Sequence, residues 1–322
     1  MKLSLFKTEF PIMLAPMAGF TDMTYRSICR EHGCDFTFTE MISAKGLKYG
    51  GKSADLMETA PNERPCGIQL FGRDPAIMAE MARRICGENK GELALIDINM
   101  GCPAPKITGN GEGSALMKEP GVAARVIEAV VKASALPVSV KFRKGWDSGH
   151  VNCVDFARMA EASGAAFVTI HGRTRDQMYS GAADWEVIAE AKAALSIPVI
   201  GNGDVTGGSS AIAMRDYTGC DGIMIARGAL GNPYVFQEVK AAFAGVPYTP
   251  PSNAERLDLA IAHVKGLVAH KGPHGVIEMR KHIAYYVRGM KGASAFRTAA
   301  TLAPTAEALI DLIEEYRNKI SE

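Results

Sequence analysis

Residues 11–22 read PIMLAPMAGFTD, a short apolar run that breaks into the turn APMAGFTD. An open, nucleotide-binding sheet is expected to carry a GxGxxG fingerprint after its first strand. This turn has none. Seven more runs of the same kind follow: FTFTE from 36, GIQLF from 67, ALIDINM from 94, PVSVKF from 137, AFVTIHG from 166, PVIGNG from 198 and GIMIARG from 222. Each is short, apolar or β-branched, and closed by Gly, Asn or a charged residue. Strands of a parallel sheet covered on both faces read this way.

Helical stripes separate the runs. Ile77, Met81 and Ile85 repeat at i, i+4, i+8; Val122, Val126, Ile127 and Val130 form a second stripe, and Val187, Ile188, Ala191 and Leu195 a third. Pro137 and Pro198 open strands directly after helix ends. Eight strand–helix units within about 240 residues predict an α/β fold, a (β/α)8 TIM barrel over residues 1–245. The beat then stops. GVPYTPPSN is a proline-rich linker in which Ser252 or Asn253 can cap a helix, and only helical periodicity follows. Leu257, Ile261, Val264 and Val268, then Leu309, Leu312, Ile313 and Tyr316, predict a small all-helical C-terminal domain over 252–322.

Composition narrows the function classes. The 322 residues are 47% hydrophobic and 22% charged, with a net charge of +1, so any polyanion must be held by a local patch. No run reaches membrane-spanning length, and the N-terminal MKLSLFKTEFPIMLAPMAG lacks a signal-peptide pattern. Seven scattered cysteines without a CxxC argue against a disulfide framework or a zinc site, so a reducing cytoplasm is expected. No obligate protein partner is evident.

Barrel enzymes gather their catalytic groups at the C-terminal strand ends. Here those ends carry Pro16, Met17 and Ala18, then Glu40, Gln69, Asn99 with Cys102, Lys141 with Arg143, and His171 with Arg173. The seventh ends in Asn202, Gly203 and Asp204, the eighth in Ala226, Arg227 and Gly228. Each alone has a structural reading: Cys102 as a small buried hydrophobe, Lys141 reaching water, His171 satisfied in the core. Together they converge on one mouth. The glycine-rich loops GNGD (201–204) and ARGALGNP (226–233) follow the last two strands, where such barrels cradle a phosphate. Lys141 and His171 then lie where they can hold the electron-rich part of that ligand, as a cation does for a reduced flavin.

APMAGFTDMTYR, DINMGCPAPK with the following GNGEGSALM, VKFRKGW, IHGRTRDQMYSGAADW, IGNGD and IARGALGNP together resemble the tRNA-dihydrouridine synthase family. MRKHIAYYVRGM is similar to that family's helical domain, and the likeness is greatest to its bacterial B-type members. The resemblance runs from about residue 10 to 317. It implies an FMN-dependent barrel that reduces a D-loop uridine of tRNA to 5,6-dihydrouridine with NADPH or NADH. The family's flavin contacts fall on Pro16, Met17, Ala18, Gln69, Lys141, His171, Asn202, Gly203, Asp204, Ala226 and Arg227. Its proton-donating cysteine falls on Cys102 and its uracil-orienting asparagine on Asn99, with Arg143 a further contact to the uracil. Ala226 stands where some relatives have glycine, and KITGNGEG varies within the family.

Such chemistry needs a hydride at C6 and a proton at C5 of the uracil, and a protonated thiol suits the second role. The uridine must leave its stack. From Lys271 to Arg297 there are six Lys or Arg and one acid, Glu278, and Arg280, Lys281, Arg288 and Lys291 are expected near one helical face with Tyr285 and Tyr286 between them, a candidate tRNA surface. Three other readings remain: a dihydroorotate or dihydropyrimidine dehydrogenase-like enzyme for a free pyrimidine, a flavin-free phosphosugar lyase or isomerase with Lys141 as a Schiff-base amine, and a catalytically dead RNA-binding barrel.

Overall fold

The computed structural model describes residues 6 and 8–321. The expected domain bounds at residues 1 and 322, and the MKLSL stretch, lie outside the described residues. Eight parallel strands form one curled sheet: β1 (Ile12–Leu14), β2 (Ile42–Ser43), β3 (Cys66–Phe71), β4 (Leu93–Met100), β5 (Val138–Gly145), β6 (Phe167–Thr174), β7 (Val199–Asn202) and β8 (Gly222–Ile225). Their order is β1-β8-β7-β6-β5-β4-β3-β2, and a helix follows each strand, as the sequence led us to expect of a (β/α)8 barrel.

The second strand differs from expectation. FTFTE does not form a regular ladder; β2 begins two residues beyond it and pairs only Ile42 with Leu70 and Ser43 with Phe71. Residues 36–39 instead divide their hydrogen bonds between both neighbours. Leu14 donates to the Phe36 carbonyl at 3.0 Å, while Gly67 donates to Thr37 and Thr39 donates to Gly67, each at 2.9 Å. A segment that bridges two strands this way closes the barrel without a continuous pair on either side.

That seam is reinforced from outside. The buried Arg26 guanidinium, on the Met23–Glu31 helix, grips Glu63 through Nε at 2.8 Å and Nη2 at 3.0 Å. Thr37 Oγ1 and the Ala60 N–H also donate to the Glu63 carboxylate, and Arg26 bonds the Thr21 and Glu58 carbonyls. Every polar atom of this buried pair that could be orphaned has a partner nearby.

Two apolar layers and one separate cluster fill the molecule. The outward strand faces (Ile68, Ile96, Val140, Ile170) pack on the helices, and all three stripes read from the sequence lie in this layer. Inside the barrel's lower end, Phe6, Met13, Phe36, Phe38, Leu95, Phe167, Ile200 and Met224 make a plug. The helical region has its own cluster around Leu257, Val264, Ile283, Leu309 and Ile313. It comprises helices Asn253–Lys271, His274–Tyr286, Ala293–Leu302 and Ala306–Ser321. Ser252 is the cap: its Oγ accepts from the Glu255 N–H, and Glu255 returns a bond to the Ser252 N–H. Among the described residues no helix is long and apolar enough to cross a membrane.

Removing one partner of a buried, fully bonded ion pair leaves an uncompensated charge, at a cost of about 3–5 kcal/mol. Glu63→Ala is therefore expected to lower unfolding stability by that order in urea, whereas breaking the exposed Arg84–Glu88 pair is expected to cost under ~1 kcal/mol.

Candidate active site

Strand register sets the site. Asn99 lies beside Lys141, Arg143 beside His171, and His171 beside Asn202. One layer deeper, Gln69 lies beside Asp97 and Asp97 beside Ser139. Side chains alternate across a strand, so these polar residues share the barrel interior while their apolar neighbours face the helices.

The deeper layer directs the upper one. The Asp97 carboxylate accepts from Ser139 Oγ and from Gln69 Nε2, both at 2.6 Å. An ionised carboxylate only accepts, so the Gln69 amide must turn its nitrogen inward and its oxygen outward. Gln69 Oε1 then accepts from Asn99 Nδ2 at 2.8 Å. Asn99 Oδ1 in turn accepts from the Cys102 N–H at 2.9 Å and the Gly101 N–H at 3.2 Å. Each amide's direction follows from the one below it.

The Cys102 loop is pinned from three more sides. Arg143 Nε bonds the Gly101 carbonyl at 2.8 Å, and its Nη1 bonds the Thr174 and Met178 carbonyls, each at 2.9 Å. The Cys102 carbonyl accepts from Ser114 N–H at 3.0 Å and Ser114 Oγ at 2.9 Å. Gly113, at φ +60°, lets that segment close over the cysteine: a Cβ there would sit 2.8 Å from the Cys102 carbonyl oxygen. The GNGEG segment thus has a local structural purpose.

Charge is concentrated here. Lys141 Nζ donates to Asn202 Oδ1 at 3.0 Å, and burial pulls its amine down to about 8. Burial also pulls Arg143 down to about 10. Burial first, then the cations Lys141, Arg143, Arg173 and Arg227, holds His171 well below its ordinary range, so its ring is neutral at pH 7. Arg173 lies 3.4 Å from His171 Nε2 and can only donate, which puts the imidazole proton on Nδ1. Burial pushes the Cys102 thiol up, against the pull of the Ala104 N–H, Arg143 and Lys141. It pushes Asp97 up to about 6, so at neutral pH the carboxylate is ionised at a cost.

A cavity of about 710 Å³ opens beside these groups. Of the residues expected from the sequence it takes in His171, Asn202, Gly203, Asp204, Ala226, Arg227 and Arg288. Pro16, Met17 and Ala18 follow β1, which pairs with β8, so their turn adjoins Ala226. The Gly19 N–H donates to the buried Glu40 carboxylate at 2.8 Å, which anchors that turn. Gln69 is fully buried, committed to Asp97 and Asn99. The Asp204 carboxylate is gripped by Arg173 Nη2 at 2.7 and 2.8 Å and by the Ala183 N–H at 2.6 Å.

The basic face is built differently from the sequence reading. The helix stops at Tyr286 with Val287 as its C-cap, so Arg288 and Lys291 lie beyond it and share no helical face with Arg280 and Lys281. Tyr286 is core, not surface. Arg280 Nη2 bonds the Ala303 carbonyl at 3.1 Å, inside the helical region. Lys281 Nζ sits 5.5 Å from the Phe20 ring centroid, at the barrel. Arg288 is exposed and stacks over Tyr285 at 5.2 Å.

Three contributors, of two kinds, had gone unassigned in the sequence. Asp97 and Ser139 carry no motif of their own. Their signal was positional: a polar side chain two residues before Asn99 and two before Lys141, on the same strand faces. Tyr179 is the other kind, exposed on a loop, with Arg227 4.9 Å from its ring centroid.

A parallel eight-stranded barrel that gathers a thiol, a neutral imidazole and several cations at its strand ends has the make-up of a barrel enzyme. The family model for dihydrouridine synthases matches residues 13–321. The chain belongs to that family. It is 41% identical over 288 residues to a probable tRNA-dihydrouridine synthase 1 of Synechocystis, covering 89% of this chain and 80% of that one. A probable tRNA-dihydrouridine synthase of Mycobacterium tuberculosis is 41% identical over 318 residues, covering 94% of this chain and 81% of the relative. The tRNA-dihydrouridine synthase B of Xanthomonas campestris is 40% identical over 308 residues, covering 95% and 92%.

Asp97→Asn separates stability from alignment. The folded pKa of Asp97 is raised, so its contribution to stability is full below the unfolded value and is lost as pH rises through about 6. The variant lacks that loss. Relative to wild type it is expected to gain about 1.4 kcal/mol between pH 5 and pH 8, because about one pKa unit of the raised range lies above pH 5, read by urea unfolding at both values. An amide at 97 donates as well as accepts, so Gln69 is no longer directed, and turnover is expected to fall about tenfold or more (about 1.4 kcal/mol).

Proposed function

We propose that the protein is a flavin-dependent tRNA-dihydrouridine synthase that uses NADPH to reduce the C5–C6 double bond of a D-loop uridine. The observation that carries this reading is the Cys102 thiol, protonated and half-buried on a loop aligned by the Asp97–Gln69–Asn99 chain. A proton donor needs such a group: one that keeps its proton at pH 7 and is held in a fixed position.

The donor set of the neighbouring cavity fits FMN. Its volume falls within the about 300–1,000 Å³ of small-molecule sites, and four arginines against two acids line it, which suits a phosphate. In this reading Asn202, Gly203, Asp204, Ala226 and Arg227 hold the phosphate end. Gly203, at φ +126°, is required by the packing of this loop: a Cβ there would lie 2.7 Å from Ala183 Cβ and 3.1 Å from His171 Cδ2. Lys141 and His171, with the Pro16–Ala18 turn, hold the ring system, while Gln69, fully buried, acts on the site from beneath through Asp97 and Asn99. The chemistry FMN supplies when bound is hydride donation to C6 of the uracil. The Cys102 thiol gives its proton to C5 on the opposite side and regains one from solvent. Asn99 has a second Nδ2–H beyond its bond to Gln69, facing only Met41 Sδ at 3.8 Å, and Arg143 has its Nη2. Both are suited to the uracil carbonyls, where they stabilise the negative charge that develops.

The uridine must leave its stack to reach this mouth, at a cost of about a few kcal/mol. Lys281 and Arg288 are the strongest candidates for tRNA phosphates, since Arg280 is drawn into the helical region. Such an enzyme works where tRNA is, in the cytoplasm.

Cys102→Ala is expected to keep its flavin and to oxidise NADPH, while dihydrouridine formation falls by about 10²–10⁴-fold; product at the wild-type rate would remove Cys102 as donor. The acid form is lost as pH rises through the raised thiol pKa. Wild-type turnover should therefore be flat through neutrality and fall only in the alkaline range, with that limb missing in the alanine variant. Lys281→Ala should weaken tRNA binding and reduce the salt slope by about 1, for the one lost phosphate contact, with flavin content unchanged.

A further inference from the structure

Where the helical region meets the barrel, three buried side chains converge. Asp22 follows the β1 turn and caps the Met23–Glu31 helix, its Oδ1 accepting from the Tyr25 N–H at 3.1 Å. His263 comes from the Asn253–Lys271 helix and His282 from the His274–Tyr286 helix. Their exposures are 3%, 0% and 1%. Asp22 Oδ2, His263 Nε2 and His282 Nε2 each lack a hydrogen-bond partner. The three ligand atoms lie within 4.8 Å of one another.

Orphaned buried polar atoms are rare and demand an account. A direct bond does not supply one: His282 Nε2 and Asp22 Oδ2 stand 3.6 Å apart, beyond hydrogen-bond range, and closing that gap leaves His263 Nε2 alone. A water bonding two partners tetrahedrally at about 2.8 Å holds them about 4.6 Å apart. Tetrahedral zinc, with bonds of about 2.0–2.1 Å, holds its ligands about 3.3 Å apart. The Asp22–His282 pair is closer to the second spacing.

We propose that Asp22, His263 and His282 bind one divalent transition-metal ion, of which zinc is the natural example, and that this ion pins the helical region to the barrel. The surroundings favour it. Burial drives His263 down to about 4 and His282 well below its ordinary range, so both rings are neutral and each can offer a lone pair. His263 Nδ1 faces Tyr286 Oη at 3.2 Å, and Asp22 Oδ1 is taken by the helix cap, which leaves Nε2 and Oδ2 to the ion. The rings are already oriented: Tyr25 stacks on His263 at 5.3 Å, and Phe20 meets His282 edge-on at 5.3 Å. A second cavity, of about 480 Å³, borders Asp22 between the barrel and the helical region, on the side away from the two rings. This site stands apart from the Cys102 chemistry and does not depend on the reading of it.

The test uses the full chain. Metal is counted in the purified protein after unfolding in chelator, and metal-free refolded protein is titrated with Zn2+ or Co2+. One equivalent per chain is expected, with a tetrahedral Co2+ spectrum free of thiolate charge transfer and a rise in Tm with Zn2+. His263→Gln and His282→Gln should each abolish the equivalent. Tyr286→Phe, which keeps the ring and removes the hydroxyl behind His263, should weaken binding by about 10–100-fold. Wild-type protein that takes up no equivalent above the double His variant overturns the proposal, and so does a Co2+ spectrum with thiolate bands, which places the ion on a cysteine instead.

Discussion

A carboxylate that can only accept hydrogen bonds sits at the middle of the barrel, and the arrangement of the mouth depends on it. Asp97 fixes the direction of Gln69, Gln69 that of Asn99, and Asn99 the backbone of the Cys102 loop. Each bond is worth only about 0.5–1.5 kcal/mol net, yet the chain is all-or-none in direction. Reversing any one amide sets donor against donor or acceptor against acceptor at both its ends, in a medium where such conflicts are poorly screened. An apolar core would be more stable here. The barrel instead retains an acid pushed up to about 6 and ionises it at neutral pH, which is the behaviour of a site built for alignment.

The same trade is visible in the cations. Lys141 and Arg143 are both pulled below their ordinary values by burial, and both help keep His171 neutral. Packing so much positive charge behind one opening is unfavourable for folding and favourable for an anionic ligand. Asp204 offsets part of it, with Arg173 held on both carboxylate oxygens. A cavity with this balance suits the phosphate of the proposed ligand.

Much of this was legible because a parallel barrel writes its strands as apolar runs and its site as the polar residues that close them. Cys102, Lys141, His171 and Asn202 were expected at or just past strand ends by that rule, and the structure has them on or just past their strands. FTFTE was located correctly as a barrel segment but not as a broken one, since run composition says nothing about how hydrogen bonds divide between two neighbours. The basic face was misjudged at Arg288 and Lys291 because the helical periodicity was carried past the Val287 cap and past Gly289, which turns the chain at φ +82° two residues later. Asp97 and Ser139 read as ordinary members of strands. The Asp22–His263–His282 cluster was invisible: Asp22 lies some 240 residues before the first of the two histidines, and only docking of the helical region brings the three together.

That docking has a mechanical consequence. The seven residues from Pro16 to Asp22 belong to the mouth and to the interdomain contact at once. Pro16–Ala18 adjoin the β8 end; Gly19 is held by Glu40; Phe20 packs edge-on against His282 and Tyr285; Asp22 faces His282. Tyr25, one turn on, bonds the Ala229 carbonyl of the loop after β8. A helical region that shifted on the barrel would therefore drag the turn beside the cavity with it. Lys281 and Arg288 sit on the moving part, Lys281 against Phe20 and Arg288 against Tyr285. In the proposed reading, charge borne by an RNA on these two residues would act on the same turn that borders the cavity, through contacts only one side chain long.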